Sequence, residues 1–127
     1  MVRLAVWAAR AAALVLVLAL FANGDAGIPT PPPWDKVAHY GYFGLFTGTL
    51  WLASGGRARW PWLLAASLML GIADEWRQLY LPHRQASVAD LLADIAGAAT
   101  ALLVLNRAAA LVRERSRDSR RRVNHGK

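Results

Sequence analysis

Leu4-Ala5-Val6-Trp7-Ala8-Ala9-Arg10-Ala11-Ala12-Ala13-Leu14-Val15-Leu16-Val17-Leu18-Ala19-Leu20-Phe21-Ala22 decides the fold class. Within it Arg10 is the single charge. A bilayer core of ~30 Å takes about 20 helical residues at 1.5 Å each, so this stretch is long enough to span. Three more apolar blocks follow, about Val37 to Ala53, Trp60 to Leu81 and Val88 to Leu105. None alternates with a period of two, and no internal repeat is present. The pattern predicts an all-α, polytopic membrane bundle of four transmembrane helices.

The breaks between blocks are physically explicable. Asn23-Gly24-Asp25 and Pro29 to Pro33 cannot continue a helix. Ser54-Gly55-Gly56, followed by Arg57 and Arg59, reads as a short turn between antiparallel helices. Leu81-Pro82-His83-Arg84 ends the third block. Ser87 with Asp90 three positions on resembles a capping box that opens the fourth. The first block has a rival reading as a signal peptide, with Arg3 and Arg10 ahead of Ala11 to Ala22 and cleavage near Ala22 or Ala26. An uncleaved helix is preferred, because Leu4 to Ala9 is itself apolar and Arg10 can snorkel to the near interface.

Composition narrows the function classes. The chain has 127 residues, enough for one domain. Its hydrophobic share of 56% is too high for a disordered chain. There is no cysteine, which excludes disulfide scaffolds, cysteine metal sites and thiol nucleophiles. The net charge of +7 belongs mostly to residues 107–127, with eight Lys/Arg against two Asp/Glu. That segment, Arg107 to Lys127, reads as a basic cytoplasmic tail without fixed structure, touching anionic lipid. It has no interleaved aromatic residue on which bases could stack, so nucleic acid is not an expected partner. The tail also sets the orientation, because Lys and Arg accumulate on the cytoplasmic side. With an even number of spans, both termini are cytoplasmic (N-in/C-in), and the first and third loops face outward.

Ionisable residues in or beside spans are costly and therefore informative. Here Asp35, Lys36 and His39 enter the second block, and Asp74, Glu75, Arg77 and Gln78 leave the third. Arg84 lies in the loop, and Asp90 and Asp94 enter the fourth block. The topology gathers all of them in one outer-leaflet region. Asp35 and His39 share a helix face, as do Glu75 with Gln78 and Asp90 with Asp94 and Gly97. Gly41, Gly44 and Gly48, and Gly97 with Ala98 and Ala101, permit close helix approach.

Bland readings stand beside these. Asp35 can be an N-cap, and Asp90 the third residue of the capping box. Lys36 and Arg77 suit snorkelling at the interface, and Asp74 suits a local pair with Arg77 or Gln78. His39 suits a buried hydrogen bond to a carboxylate, and His83 an ordinary loop surface. Glu75 and Asp94 resist such readings most, since neither has an evident capping duty.

These motifs together resemble the VanZ-like membrane proteins. Asp35-Lys36-Val37-Ala38-His39-Tyr40 is similar to the family's D-K-x-x-H-aromatic opening, and Asp74-Glu75-Trp76-Arg77-Gln78 to its E-x-x-Q segment. Arg84, Ser87, Asp90, Asp94 and Gly97 follow its R-x-x-S-x-x-D-x-x-x-N-x-x-G pattern, with Asp94 where the family has asparagine. The resemblance covers about residues 35 to 100. It implies a small polytopic protein of the bacterial cytoplasmic (inner) membrane, with residues 1–106 as the VanZ-like domain and 107–127 as the tail. It also implies a link to glycopeptide (teicoplanin) susceptibility, for which the family is named, and no established reaction.

Three functional readings follow. In the first, Asp35, His39, Glu75, Gln78, Arg84, Asp90 and Asp94 line an outer-leaflet site for a lipid-linked or cell-wall component. Arg84 is suited to phosphate or carboxylate, because its planar fork binds such groups bidentately. In the second, Glu75 and His39 are acid and base of an enzyme acting on a lipid phosphate or polyprenyl-linked substrate. In the third, the polar residues only interlock helices and the protein is structural or an adaptor. No serine-nucleophile motif, phosphate-binding glycine loop or H-E-x-x-H motif is present, so no cofactor is expected. His39, Glu75, Asp90 and Asp94 are ligand types for a divalent ion, but their spacing matches no tight metal motif and no metal is expected. Membrane lipids, and a lipid-linked envelope precursor, are the expected partners.

Overall fold

The computed structural model describes residues 2–22, 31, 33–81 and 86–125, with side chains to residue 119. Among these residues it holds four α-helices and no strand: α1 (Val2–Ala22), α2 (Trp34–Ala53), α3 (Trp60–Gln78) and α4 (Val88–His125). The helices correspond to the four apolar blocks.

The helix ends have identifiable causes. Pro31 and Pro33 lead into α2, where the Trp34 N–H donates to Pro31 O at 3.0 Å. At its other end, Gly55 N–H donates to Leu52 O and Gly56 N–H to Trp51 O, the paired bonds of a Schellman cap. Both glycines have positive φ, 67° and 72°, which a side chain would oppose. Ser54 Oγ closes the turn by accepting from the Arg57 and Ala58 N–H groups. Pro61 lies in the first turn of α3, where a missing N–H costs nothing.

Contacts fix the arrangement. α1 runs antiparallel to α2, with Tyr42 OH donating to Leu16 O and Arg10 Nε to Ala53 O. Arg10 thus satisfies an orphan carbonyl at the C-terminus of α2 while stacking over Trp7. Arg77 does the same at the opposite end, donating to Leu20 O and Phe21 O at the C-terminus of α1. The expected snorkelling of these two arginines is therefore supplemented by specific helix-end contacts.

α2 and α4 run in the same direction and pack most closely. A Cβ on Gly97 would overlap Tyr40 O, and one on Gly44 would lie 3.2 Å from Gly97 O. The glycine seam expected from sequence is formed at Gly44 and Gly97; Gly41 faces open space. Deeper in the bundle, Thr47 Oγ1 and Ser67 Oγ are 2.7 Å apart and tie α2 to α3.

The bundle interior is mixed, with Phe43, Phe46, Leu63, Ala98 and Leu102 buried alongside many polar side chains, while the exterior carries many large apolar ones. Buried positions include Thr47, Ser67, Asp74, Glu75, Gln78, Asp90 and Asp94, while Leu14, Leu45, Met69, Leu92 and Leu103 are exposed. Burying polar side chains and exposing large apolar ones is what a lipid solvent selects. α1 and the stretch Val88–Ser119 of α4 are long and apolar enough to cross a membrane. α2 and α3, at 20 and 19 residues, have spanning length with a more polar composition.

α4 differs from expectation at its end. It does not stop near Leu105 but continues to His125, so the tail expected to lack structure is helical through that residue. Ala, Leu, Arg and Glu between residues 107 and 117 are strong helix formers, and the helix extends from an already nucleated one.

Candidate functional site

The site forms where the start of α2, the end of α3 and the start of α4 meet. Asp35 and Lys36 lie on the first turn of α2, ahead of the apolar run that begins at Val37. Asp35 is not the N-cap, a position held by Pro33; its carboxylate accepts from the Lys36 backbone N–H and from Lys36 Nζ, each at 2.8 Å. Lys36 Nζ also reaches Asp90 Oδ1 at 3.1 Å, so it bridges α2 to α4 rather than snorkelling alone. The Lys36 hydrogen bond holds the Asp35 carboxyl below its usual value, and Asp35 followed by Asp90 holds the Lys36 ammonium above its own.

One turn along α2, His39 Nδ1 lies 2.8 Å from Asp94 Oδ1. His39 stacks on Phe43, which is fully buried and fixes the ring plane. The carboxylate partner expected for His39 is thus Asp94, the position where the resemblance has asparagine. Opposite, Gly71 makes room for Asp94: a Cβ there would lie 2.7 Å from Asp94 Oδ2. Sequence reasoning missed Gly71, whose signal was a lone glycine four residues before Glu75 on an apolar helix.

Glu75 and Asp90 exchange their expected duties. Ser87 Oγ accepts from the Asp90 N–H at 3.4 Å, which is half of a capping box. The reciprocal half comes from another helix, because Glu75 Oε2 accepts the Ser87 N–H at 2.5 Å. Asp90 is released to pair with Lys36. Glu75 therefore has a capping duty that the sequence did not disclose, and it docks α3 onto the start of α4.

Gln78 does not join Glu75. Gln78 Nε2 donates to Asp74 Oδ2 at 3.0 Å and Arg77 Nη2 donates to Asp74 Oδ1 at 2.9 Å. This is the local pairing foreseen for Asp74, here extended to α1 by Arg77. Arg84 and His83 lie outside the described residues. Of the seven residues expected to line the site, the structure joins His39 to Asp94, links Asp35 to Asp90 through Lys36, and sets Glu75 beside Ser87.

Not every buried polar atom is satisfied. Among the described residues, Glu75 Oε1, Arg77 Nε and Asp94 Oδ2 are buried without a hydrogen-bond partner; Glu75 is only 9% exposed and Asp94 1%. One ligating atom each from His39, Glu75 and Asp90 lies within 4.8 Å of the other two. The arrangement can bind a cationic or hydrogen-bond-donating group and can exchange protons between an imidazole and carboxylates.

A cavity of about 280 Å³ opens at the opposite end of the bundle among Trp51, Arg57, Arg59, Asn106 and Arg113. Sequence reasoning placed Arg57 and Arg59 after a turn and Arg113 in the basic tail and did not foresee that they share a cleft.

No curated protein and no solved structure matches the chain. A family model described as VanZ/LLP1 matches residues 4–110, which include all four helices in whole or in part and every described residue of the polar cluster. The chain belongs to the VanZ/LLP1 family.

Proposed function

We propose that the protein is a four-span component of the bacterial cytoplasmic membrane, N-in/C-in, whose outer-leaflet polar cluster binds a lipid-linked or cell-wall component. The observation that carries this reading is the buried Glu75 Oε1, without a partner among the described residues, on a side chain that has a ligating atom within 4.8 Å of ligating atoms of His39 and Asp90. An unpaired buried polar group costs about 1–3 kcal/mol, which an incoming hydrogen-bond donor or cation would offset. The apolar outer surface of the bundle supports the membrane setting. The basic tail and the arginines of the opposite cleft suit anionic lipid on the cytoplasmic side.

A second reading, acid–base catalysis by Glu75 and His39 on a lipid phosphate or polyprenyl-linked substrate, is favoured by the same proximity. Glycopeptide susceptibility separates the binding and catalytic readings from a purely structural one. A host expressing wild type or Glu75→Gln is tested against teicoplanin, with membrane abundance followed by an epitope tag. Loss of protection at equal abundance is expected. Protection that falls only with abundance assigns Glu75 to helix packing and overturns the proposal.

A further inference from the structure

We propose that His39, Glu75 and Asp90 form a binding site for a divalent first-row transition ion such as Zn²⁺ or Mn²⁺. Each residue is half-committed, and the commitments leave one free ligand atom apiece. His39 Nδ1 is held by Asp94, which leaves Nε2. Glu75 Oε2 is held by the Ser87 N–H, which leaves Oε1. Asp90 Oδ1 is held by Lys36, which leaves Oδ2. Glu75 Oε1 is the decisive atom, because it is buried with no partner among the described residues and belongs to a carboxylate that has an oxygen within 4.8 Å of ligating atoms of the other two residues.

The His39–Asp94 pair is also what a metal site uses behind its ligands. A carboxylate on one ring nitrogen fixes the tautomer, turns the other lone pair toward the ion and raises its basicity. Asp94 performs that task better than an asparagine would, because it carries charge. One imidazole with two carboxylates suits Zn²⁺ or Mn²⁺ more than Mg²⁺ or Ca²⁺, which prefer all-oxygen shells. The electrostatics agree: among described residues, the five carboxylates Asp35, Asp74, Glu75, Asp90 and Asp94 face two cations, Lys36 and Arg77. Ligands about 2.1 Å from a tetrahedral ion stand about 3.4 Å apart, so the ligand atoms close by up to about 1.4 Å from their 4.8 Å limit. Side-chain rotation supplies that movement without shifting a helix. Three protein ligands leave a coordination position open, and a phosphate oxygen of an envelope lipid would fit it.

The inference deepens the outer-site reading, and its test is independent of the phenotype. The full chain, purified in detergent micelles without a polyhistidine tag and stripped with EDTA, is dialysed against Zn²⁺ or Mn²⁺ alone. Bound metal is counted by mass spectrometry. We expect wild type to retain about one ion per chain, and Asp94→Asn to weaken binding by about 10–100-fold as loss of an outer-shell partner does. Glu75→Gln and His39→Gln weaken it further, and His39→Gln decides should Glu75→Gln not fold by circular dichroism. Wild type that retains neither ion, or folded Glu75→Gln and His39→Gln that bind as wild type does, overturns the site. If wild type takes no ion while Glu75→Gln still abolishes protection at equal abundance, the metal site fails and the outer-site reading stands. If the ion binds through these residues and protection is unchanged, the metal site stands and the outer-site reading fails.

Discussion

His39 Nδ1 and Asp94 Oδ1 stand 2.8 Å apart across the seam between α2 and α4, less than one helical turn from the close approach of Gly97 to Tyr40 O. The glycine contact sets the helix separation, and that separation sets the reach of the hydrogen bond. The polar site and the packing seam are therefore one mechanical unit.

Substitution at Gly97 tests this coupling. Alanine usually gains about 1 kcal/mol over glycine inside a helix. At Gly97 the overlap with Tyr40 O outweighs that gain, and overpacking costs about 1–3 kcal/mol. Gly97→Ala is expected to lower the thermal midpoint in detergent, and Gly97→Leu to lower it further. Gly41→Ala, where a Cβ meets nothing within 4 Å, should leave the midpoint unchanged or raise it. Equal behaviour at the two positions would remove Gly97 as the spacer.

Glu75 carries two separable duties. Glutamine keeps an oxygen that can accept the Ser87 N–H, so Glu75→Gln retains the docking of α3 on α4 and loses the negative charge. Glu75→Ala loses both, at about 1 kcal/mol for the missing cap contact. Thermal unfolding in detergent should rank wild type and Glu75→Gln together and Glu75→Ala below them.

Arg77 connects α3 to α1 through one guanidinium, by way of Asp74 on its own helix and Leu20 and Phe21 on the other. Removing it alone leaves the buried Asp74 without its cation, a change worth about 3–5 kcal/mol for a buried pair. Arg77→Met is expected to destabilise more than Asp74→Asn/Arg77→Met, which removes charge and partner together. A double variant as unstable as the single one would show that the contact to α1 dominates.

Topology can be read without background labelling, because the chain has no cysteine. Single cysteines at Pro31 and at Lys127 should label from opposite sides of the membrane. Labelling of both from the same side would contradict an even number of spans with an outward first loop.

Four helices, the turn between α2 and α3 and the grouping of ionisable residues at one end were legible in the sequence. Apolar run length, prolines and the Ser54-Gly55-Gly56 turn act locally, and each is readable within a window of one helix. Asp90 with Ser87 and the small residues near Gly97 were legible for the same reason. Partner choice was not. That Lys36 reaches Asp90, that Asp94 rather than Glu75 holds His39, and that Glu75 caps a helix it does not belong to depend on how α2, α3 and α4 lie against one another. The sequence by itself determined which apolar segments become helices and which end of the bundle is charged, because those follow from hydrophobic run length; that α4 runs on through its basic extension to His125 was not read from it. Only the tertiary structure decided which atoms are paired and which are left free, because hydrogen bonds are short and directional. A shift of an ångström in helix packing, invisible to any sequence pattern, reassigns them.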